Sequence, residues 1–158
     1  MSSGVLRVVR ATVDDSRAIA VLKASAIRVS AAGYYRASAL EAWASSVSVA
    51  AIEQAVATTI AYVAVTDVGI VGYSNLMGEE VDQLYVHPDY GGRGVARLLY
   101  EHVEAAAVER RIERLTATAS LRSAPVFLRF GFEEDERIER LYQGVPFEVV
   151  LVSKRIRP

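Results

Sequence analysis

Apolar and polar positions follow two rhythms along this chain, and the change of rhythm divides it. In the first third, apolar residues recur every three or four positions. Ile19, Leu22, Ala26 and Val29 fall on one face and predict a helix that ends at Gly33. Thr12 with Asp15 three residues later resembles a capping box, aspartate replacing the usual glutamate, and opens that helix. A short β-type run, Val5–Val9, comes before it. Two more helical stretches follow, Ala37–Ser45 with the single tryptophan Trp43, and the alanine-rich Val49–Ala57.

The rhythm then shortens. Thr59–Thr66 and Ile70–Leu76 are rich in β-branched and aromatic residues, and Asp67-Val68-Gly69 between them signals a hairpin. Val81–Val86 is a third strand after the turn Gly78-Glu79-Glu80. The helical period returns at Val95–Arg110. Its apolar stripe is Val95, Leu98, Leu99, His102, Val103 and Ala106, with Arg97, Glu101, Glu104 and Arg111 facing out. Leu115–Ala119 reads as a strand. Ser123–Phe130 reads as a short helix with Pro125 in its first turn and Gly131 as its left-handed cap. Two strands, Phe132–Tyr142 and Phe147–Ser153, close the chain through Gly144-Val145-Pro146.

This order predicts one α/β domain over residues 1–158, a mixed, mostly antiparallel central sheet with helices on both faces. It disfavours a Rossmann alternation, because the central strands have no crossover helices between them. A hydrophobic share of 52% supplies a core without staples. The absence of cysteine removes disulfides, thiolate nucleophiles and thiolate metal sites. With two histidines besides, no metal site is expected.

A net charge of −1 gives the whole molecule no pull toward nucleic acid or an anionic membrane. Lys154, Arg155 and Arg157 read as solvated charges at a strand end. The longest apolar run, Ala55–Val65, contains threonines and is followed by Asp67, so no membrane span is expected. Arg7 and Arg10 occupy the place of a signal peptide's apolar region, and the cytoplasm is the expected location.

The most informative segment is Val86-His87-Pro88-Asp89-Tyr90-Gly91-Gly92-Arg93-Gly94-Val95-Ala96-Arg97, in which a strand gives way to a glycine-rich turn and a long helix. Glycines let successive backbone N–H groups converge, and a helix start adds unpaired donors with partial positive charge. That combination suits a diphosphate. Arg93 and Arg97 add charge at its rim. No Gly-Lys-Ser/Thr follows, so the turn is not a Walker loop.

At this point the chain resembles the GNAT N-acetyltransferases. Leu84-Tyr85-Val86-His87-Pro88 matches their strand exit, and Gly94 and Ala96 keep the small positions of their Gln/Arg-x-x-Gly-x-Gly/Ala turn. Gly91 stands where the family carries Gln or Arg. A second block, Ser123 to Phe132 ending Arg129-Phe130-Gly131-Phe132, resembles the family's helix before a Gly-Phe. The element order matches over nearly the whole chain.

The resemblance implies acetyl-CoA as cosubstrate and transfer of its acetyl group to an amine by direct attack on the thioester. It implies that the backbone of Leu84, Tyr85 and Val86 pairs with the pantetheine arm. The turn from Gly91 through Gly92, Arg93, Gly94, Val95 and Ala96 to Arg97 would hold the pyrophosphate. The strand after the long helix would splay away, Ser120 at its end would reach the cofactor, and Phe127 would pack on the pantetheine.

The attacking amine must be neutral, and an ordinary alkylamine has a pKa of about 10.4, so a base must take its proton. Glu80 is the first candidate, at the place where some histone-type members carry a glutamate. It is expected to share strand parity with Asp82 and Leu84, and Glu79 and Asp82 are its rivals. The backbone N–H of Val86 is the expected oxyanion donor.

The family's usual acid is a tyrosine at the position of Phe127, so another tyrosine, Tyr142 or Tyr85, is expected to protonate the leaving thiolate. Otherwise it leaves unassisted. His102 and His87 read as packing and strand-exit residues. Tyr34, Tyr35 and Trp43 lie where the family places its acceptor lid. Two alternatives stand beside this reading, a non-catalytic acyl-CoA-binding module and a nucleotide binder. The acceptor, a small molecule or a protein amine, is not specified, and a homodimer through a sheet edge or the helical third is compatible with the sequence.

Overall fold

The computed structural model describes residues 4–157, so the outermost ends of the expected 1–158 domain lie outside the described residues. Strand β1 (Arg7–Arg10) leads into helix α1 (Ser16–Ser25), which continues as a π-helical turn over Ala26–Ser30. Helices α2 (Ala37–Ser45) and α3 (Val49–Thr58) follow. The strands β2 (Ile60–Thr66), β3 (Gly69–Met77) and β4 (Glu80–Val86) come next, then helix α4 (Val95–Glu109) and strand β5 (Arg114–Ser120). Helix α5 (Ala124–Arg129) and strands β6 (Glu133–Tyr142) and β7 (Val145–Arg155) complete the chain.

The strands form a seven-stranded sheet in the order β1-β2-β3-β4-β5-β7-β6. All neighbours are antiparallel except β4 and β5, which run parallel and pair at Glu80↔Thr116. On one face Ile19 and Leu22 of α1 and Ile52 and Val56 of α3 bury against Ala61, Val63 and Tyr73. On the other, Tyr100, Val103 and Ala107 of α4 pack with Leu76, Val81, Leu115 and the α5 aromatics Phe127 and Phe130. The mixed, mostly antiparallel α/β architecture is therefore the one the sequence predicts.

Local details follow from local chemistry. The Thr12 N–H donates to Asp15 Oδ2 at 2.8 Å, the return half of the capping box. Phe132 N–H bonds Phe127 C=O at 3.0 Å and Gly131 N–H bonds Leu128 C=O at 3.1 Å, with Gly131 at φ 96°, a Schellman end to α5. Gly72 lies under α4. A Cβ there would sit 2.8 Å from Leu99 Cδ1 and 2.9 Å from Val95 Cγ1, so the helix rests on bare backbone.

Three expectations need correction. The last hairpin turns at Gln143-Gly144, both at positive φ, so β7 begins at Val145 and runs through Pro146. Pairing with β5 starts only at Val149, so β7 is an edge around Pro146 and tolerates it. The α4 stripe includes Tyr100 and Ala107, while Leu98 and His102 sit at its margins. The first strand lies slightly later than expected, because Arg7 to Arg10 find partners on β2 opposite Val65 to Tyr62.

Candidate active site

Beyond Glu80↔Thr116, β4 and β5 diverge, and a cleft of about 410 Å³ opens between them. His87 N–H bonds Val71 C=O at 2.8 Å, on the β3 side. Backbone groups alternate along a strand, so the N–H and C=O of Leu84 and Val86 face the cleft. They form a free strand edge for an amide-bearing chain.

The floor of the cleft leads to the glycine turn. Gly92 at φ 71° and Gly94 at φ 79° occupy left-handed conformations that glycine adopts without strain. Gly94 is the N-cap of α4, and the first intrahelical bond is Leu98 N–H to Gly94 C=O at 3.0 Å. The N–H groups of Val95, Ala96 and Arg97 therefore lack helical partners and carry the positive end of the helix dipole. This geometry fits a diphosphate, and the free edge beside it fits a pantetheine arm, so the residues present suit coenzyme A.

Most of the expected cofactor residues line this cleft: Leu84, Tyr85, Val86, Gly91, Gly92, Gly94, Val95, Ala96, Arg97, Ser120 and Phe127. Arg93 does not, for its guanidinium stacks over the Tyr90 ring at 5.0 Å. Arg122 and Arg129, which the sequence reading missed, join Arg97 along the cleft wall. Their signal was two arginines bracketing the short helix, uninterpretable until the face of α5 was known. The Ser120 hydroxyl already bonds Ser123, whose N–H donates to it at 3.0 Å. Phe127 is buried beside Phe130 and Phe132.

A second cavity of about 250 Å³ lies under α1, α2 and α3. The two cavities share Trp43, Asp82, Gln83, Tyr85 and Tyr142. A β-bulge creates this junction. Asn75 pairs with Gln83 and Leu76 with Val81, which leaves Asp82 as the extra residue. The bulge overturns half of the expected parity: Glu80 keeps the side of Asp82, with Gln83 and Tyr85, while Leu84 lies with Val81 on the α4 face. Asp82 Oδ2 accepts from Asn75 Nδ2 at 3.2 Å.

Glu80 lines neither cavity. Its pKa is raised, first by burial and then by the neighbouring Asp82, with Arg140 opposing. Burial raises Tyr142 and Tyr85 as well, so both phenols stay protonated. Trp43 packs against Tyr142 and Tyr85, at ring distances of 6.4 and 6.5 Å. Tyr35 lines neither cavity but ties the segment before α2 to β7 and to the end of β5. Its hydroxyl donates to Glu148 C=O and accepts from Leu121 N–H, both at 2.7 Å, and burial pushes its pKa up to about 12. Tyr34 is exposed. His102 Nδ1 bonds Leu98 C=O and His87 Nδ1 accepts from Asp89 N–H, the structural roles expected of them.

The sequence profile of the acetyltransferase (GNAT) domain matches residues 31–148. The chain belongs to the GNAT acetyltransferase family. This acetyltransferase is 27% identical over 127 residues to the uncharacterized N-acetyltransferase YafP of Escherichia coli K12, across 79% of this chain and 81% of that protein. The crystal structure of a GCN5-related N-acetyltransferase from Rhodopseudomonas palustris, described as an aminotransferase of class II, superposes with a TM-score of 0.89. It is 28% identical, with 99% of this chain and 98% of that one covered. The PaiA N-acetyltransferase of Thermoplasma acidophilum, solved in complex with coenzyme A, shares the fold at a TM-score of 0.76 and 14% identity, over 98% and 99% of the two chains. Acetyl-CoA is the acetyl donor of the family, in agreement with the fit of the cleft. Among the described residues no helix is long and apolar enough to cross a membrane.

Proposed function

We propose that this acetyltransferase moves the acetyl group of acetyl-CoA to the amine of a small molecule seated in the second cavity. One observation carries the reading: the cleft that fits coenzyme A and a second cavity meet at Asp82, Gln83, Tyr85, Tyr142 and Trp43. A transferase needs such a meeting point for its two substrates, whereas a simple binding module does not.

Acetyl-CoA supplies an activated acyl carbon. The chain supplies position and proton handling. The turn Gly91 to Arg97 holds the diphosphate through Gly92, Gly94 and the N-terminal amides of α4, and Leu84 and Val86 hold the arm along β4. The Val86 N–H, directed into the cleft, donates to the carbonyl oxygen as it gains charge. Asp82 at the junction accepts the proton of the attacking amine, and Glu80 against it passes that proton toward solvent. The base assigned by sequence to Glu80 thus becomes a carboxylate pair, with Asp82 facing the substrates. Tyr142 gives one proton to the departing sulfur and regains it from solvent, so the amine, once neutral, loses one proton as the thiol gains one. Phe127 cannot perform that task and serves as packing.

The cytoplasm is the proposed location, in keeping with a chain free of cysteine. A homodimer would use the helical third, because the edge strand β6 carries seven charged residues that oppose edge-to-edge pairing. Light scattering tests it. Calorimetric titration with acetyl-CoA, with ATP and NAD as controls, tests the cofactor site, and a screen of amines for CoA release tests the transfer. Selective acetyl-CoA binding with amine-dependent CoA release is expected. Binding without release from any amine would leave a CoA-binding module instead.

A further inference from the structure

The second cavity is built for a particular class of amine. Its volume of about 250 Å³ is roughly eight times the share of one water in the liquid, enough for a small metabolite and too little for a folded peptide segment. Lys23 of α1 is its one basic lining residue. The side chain is mostly withdrawn from solvent, and its ammonium lies over the Tyr85 ring at 5.3 Å. Among the described residues no hydrogen bond or ion pair reaches that ammonium; burial lowers its pKa below the usual lysine value, and the field of Asp82 works against that shift.

Two further polar groups of the lining are unmatched. The Tyr73 hydroxyl is buried without a hydrogen-bond partner, on a residue only 1% exposed, and so is Gln83 Oε1. Buried polar groups are costly unless paired, so this set is complete only with a ligand or water in place. The unmatched groups are complementary in kind. Lys23 and Tyr73 can donate to an anion, while Gln83 Oε1 and the Asp82 carboxylate can accept from an amine.

Resting on the transfer reading above, we infer that the acceptor is a small amino-acid-like molecule, with its carboxylate held by Lys23 and Tyr73 and its amine presented at Asp82 and Gln83. The step is the acetyl transfer already described. The new N–C bond forms as the C–S bond breaks, the amine proton goes to Asp82, and the thiolate takes one from Tyr142. Lys23 binds rather than reacts.

The test compares three sets of probes with acetyl-CoA: the protein amino acids, their carboxamides, and their decarboxylated amines. For the best acceptor, kcat/KM with the carboxylate present should exceed that of the amide and the decarboxylated amine by roughly tenfold or more. Lys23→Met should collapse that preference toward unity, mainly through KM, and Lys23→Arg should restore part of it. Acetyl-CoA affinity of both variants, measured by calorimetry, should equal that of the parent and reports that they are folded. Turnover of amines with no advantage for the carboxylate, or a preference that survives in Lys23→Met, would overturn the inference and leave the acetyltransferase reading intact. Failure to release CoA with any probe, or failure to bind acetyl-CoA, would overturn the transfer reading and this inference with it.

Discussion

The two halves of the site are made of different material. The side proposed for coenzyme A is backbone: an unpaired edge of β4, two left-handed glycines and the first amides of α4. The side proposed for the acceptor is side chain: Lys23 from α1, Trp43 from α2, Tyr73 from β3, Asp82 from a bulge and Tyr142 from the far end of β6. A backbone site is written in one contiguous segment and tolerates only a few residue types. A side-chain site is assembled from five elements and can be rewritten one residue at a time. The first half therefore suits a shared cosubstrate, and the second suits an acceptor that differs from one relative to the next.

Substitutions can break this division of labour, and the largest effect belongs to the backbone half. Gly94→Glu forces a side chain into a φ of 79° and sets a negative charge at the diphosphate. Calorimetry should show a loss of acetyl-CoA affinity of about a hundredfold or more; retained affinity would remove the pyrophosphate assignment. Next comes Asp82→Asn, which keeps shape and removes the proton acceptor. Turnover should fall about 10²–10³-fold with acetyl-CoA binding unchanged, and a variant with parental kcat would take Asp82 out of the chemistry.

A smaller effect is expected beneath α4. Gly72→Ala pushes on Leu99 and Val95, at a cost of about 1–3 kcal/mol. A thermal melt should fall by several degrees, and acetyl-CoA should bind less well because the helix start shifts with the helix. An unchanged melt would show that α4 has slack.

The smallest effect concerns Glu80, whose raised pKa means the folded state holds its proton more tightly than the unfolded chain does. The stability this lends is present below the unfolded carboxylate value of about 4.3 and is lost as pH rises through the folded pKa. Glu80→Gln should therefore melt at or slightly above the parent at neutral pH, lose that advantage in acid, and turn over several-fold more slowly. A variant less stable than its parent at neutral pH would show that the ionised carboxylate is stabilising.

The same contrast explains what was legible in the sequence. The glycine turn, the Gly131 cap and the helix and strand periods are local signals, and they placed the fold and most of the residues that line the cleft. The bulge at Asp82 was not legible, because it depends on how Asn75 and Leu76 are matched across the ladder. That single irregularity set Leu84 on the opposite face from Glu80 and moved the carboxylate at the junction by two residues. Lys23 and Tyr73 were invisible for a similar reason. Each sits in an unremarkable helical or strand pattern, and only tertiary packing brings them to one cavity. Arg122 and Arg129 needed the orientation of α5.

The lone pairing of Glu80 with Thr116 has a consequence for cohesion. Four strands lie to one side of it and three to the other, joined in backbone pairing at one corner and elsewhere through the core under α4 and α5. A pantetheine arm held along β4 as proposed would act as a removable strand across the gap. The cosubstrate would then become part of the scaffold, and the resistance of the protein to unfolding would rise with the logarithm of its concentration once the site is saturated. On that proposal spent coenzyme A would mend the gap as well, and the enzyme would give up a measure of its own solidity each time it lets product go.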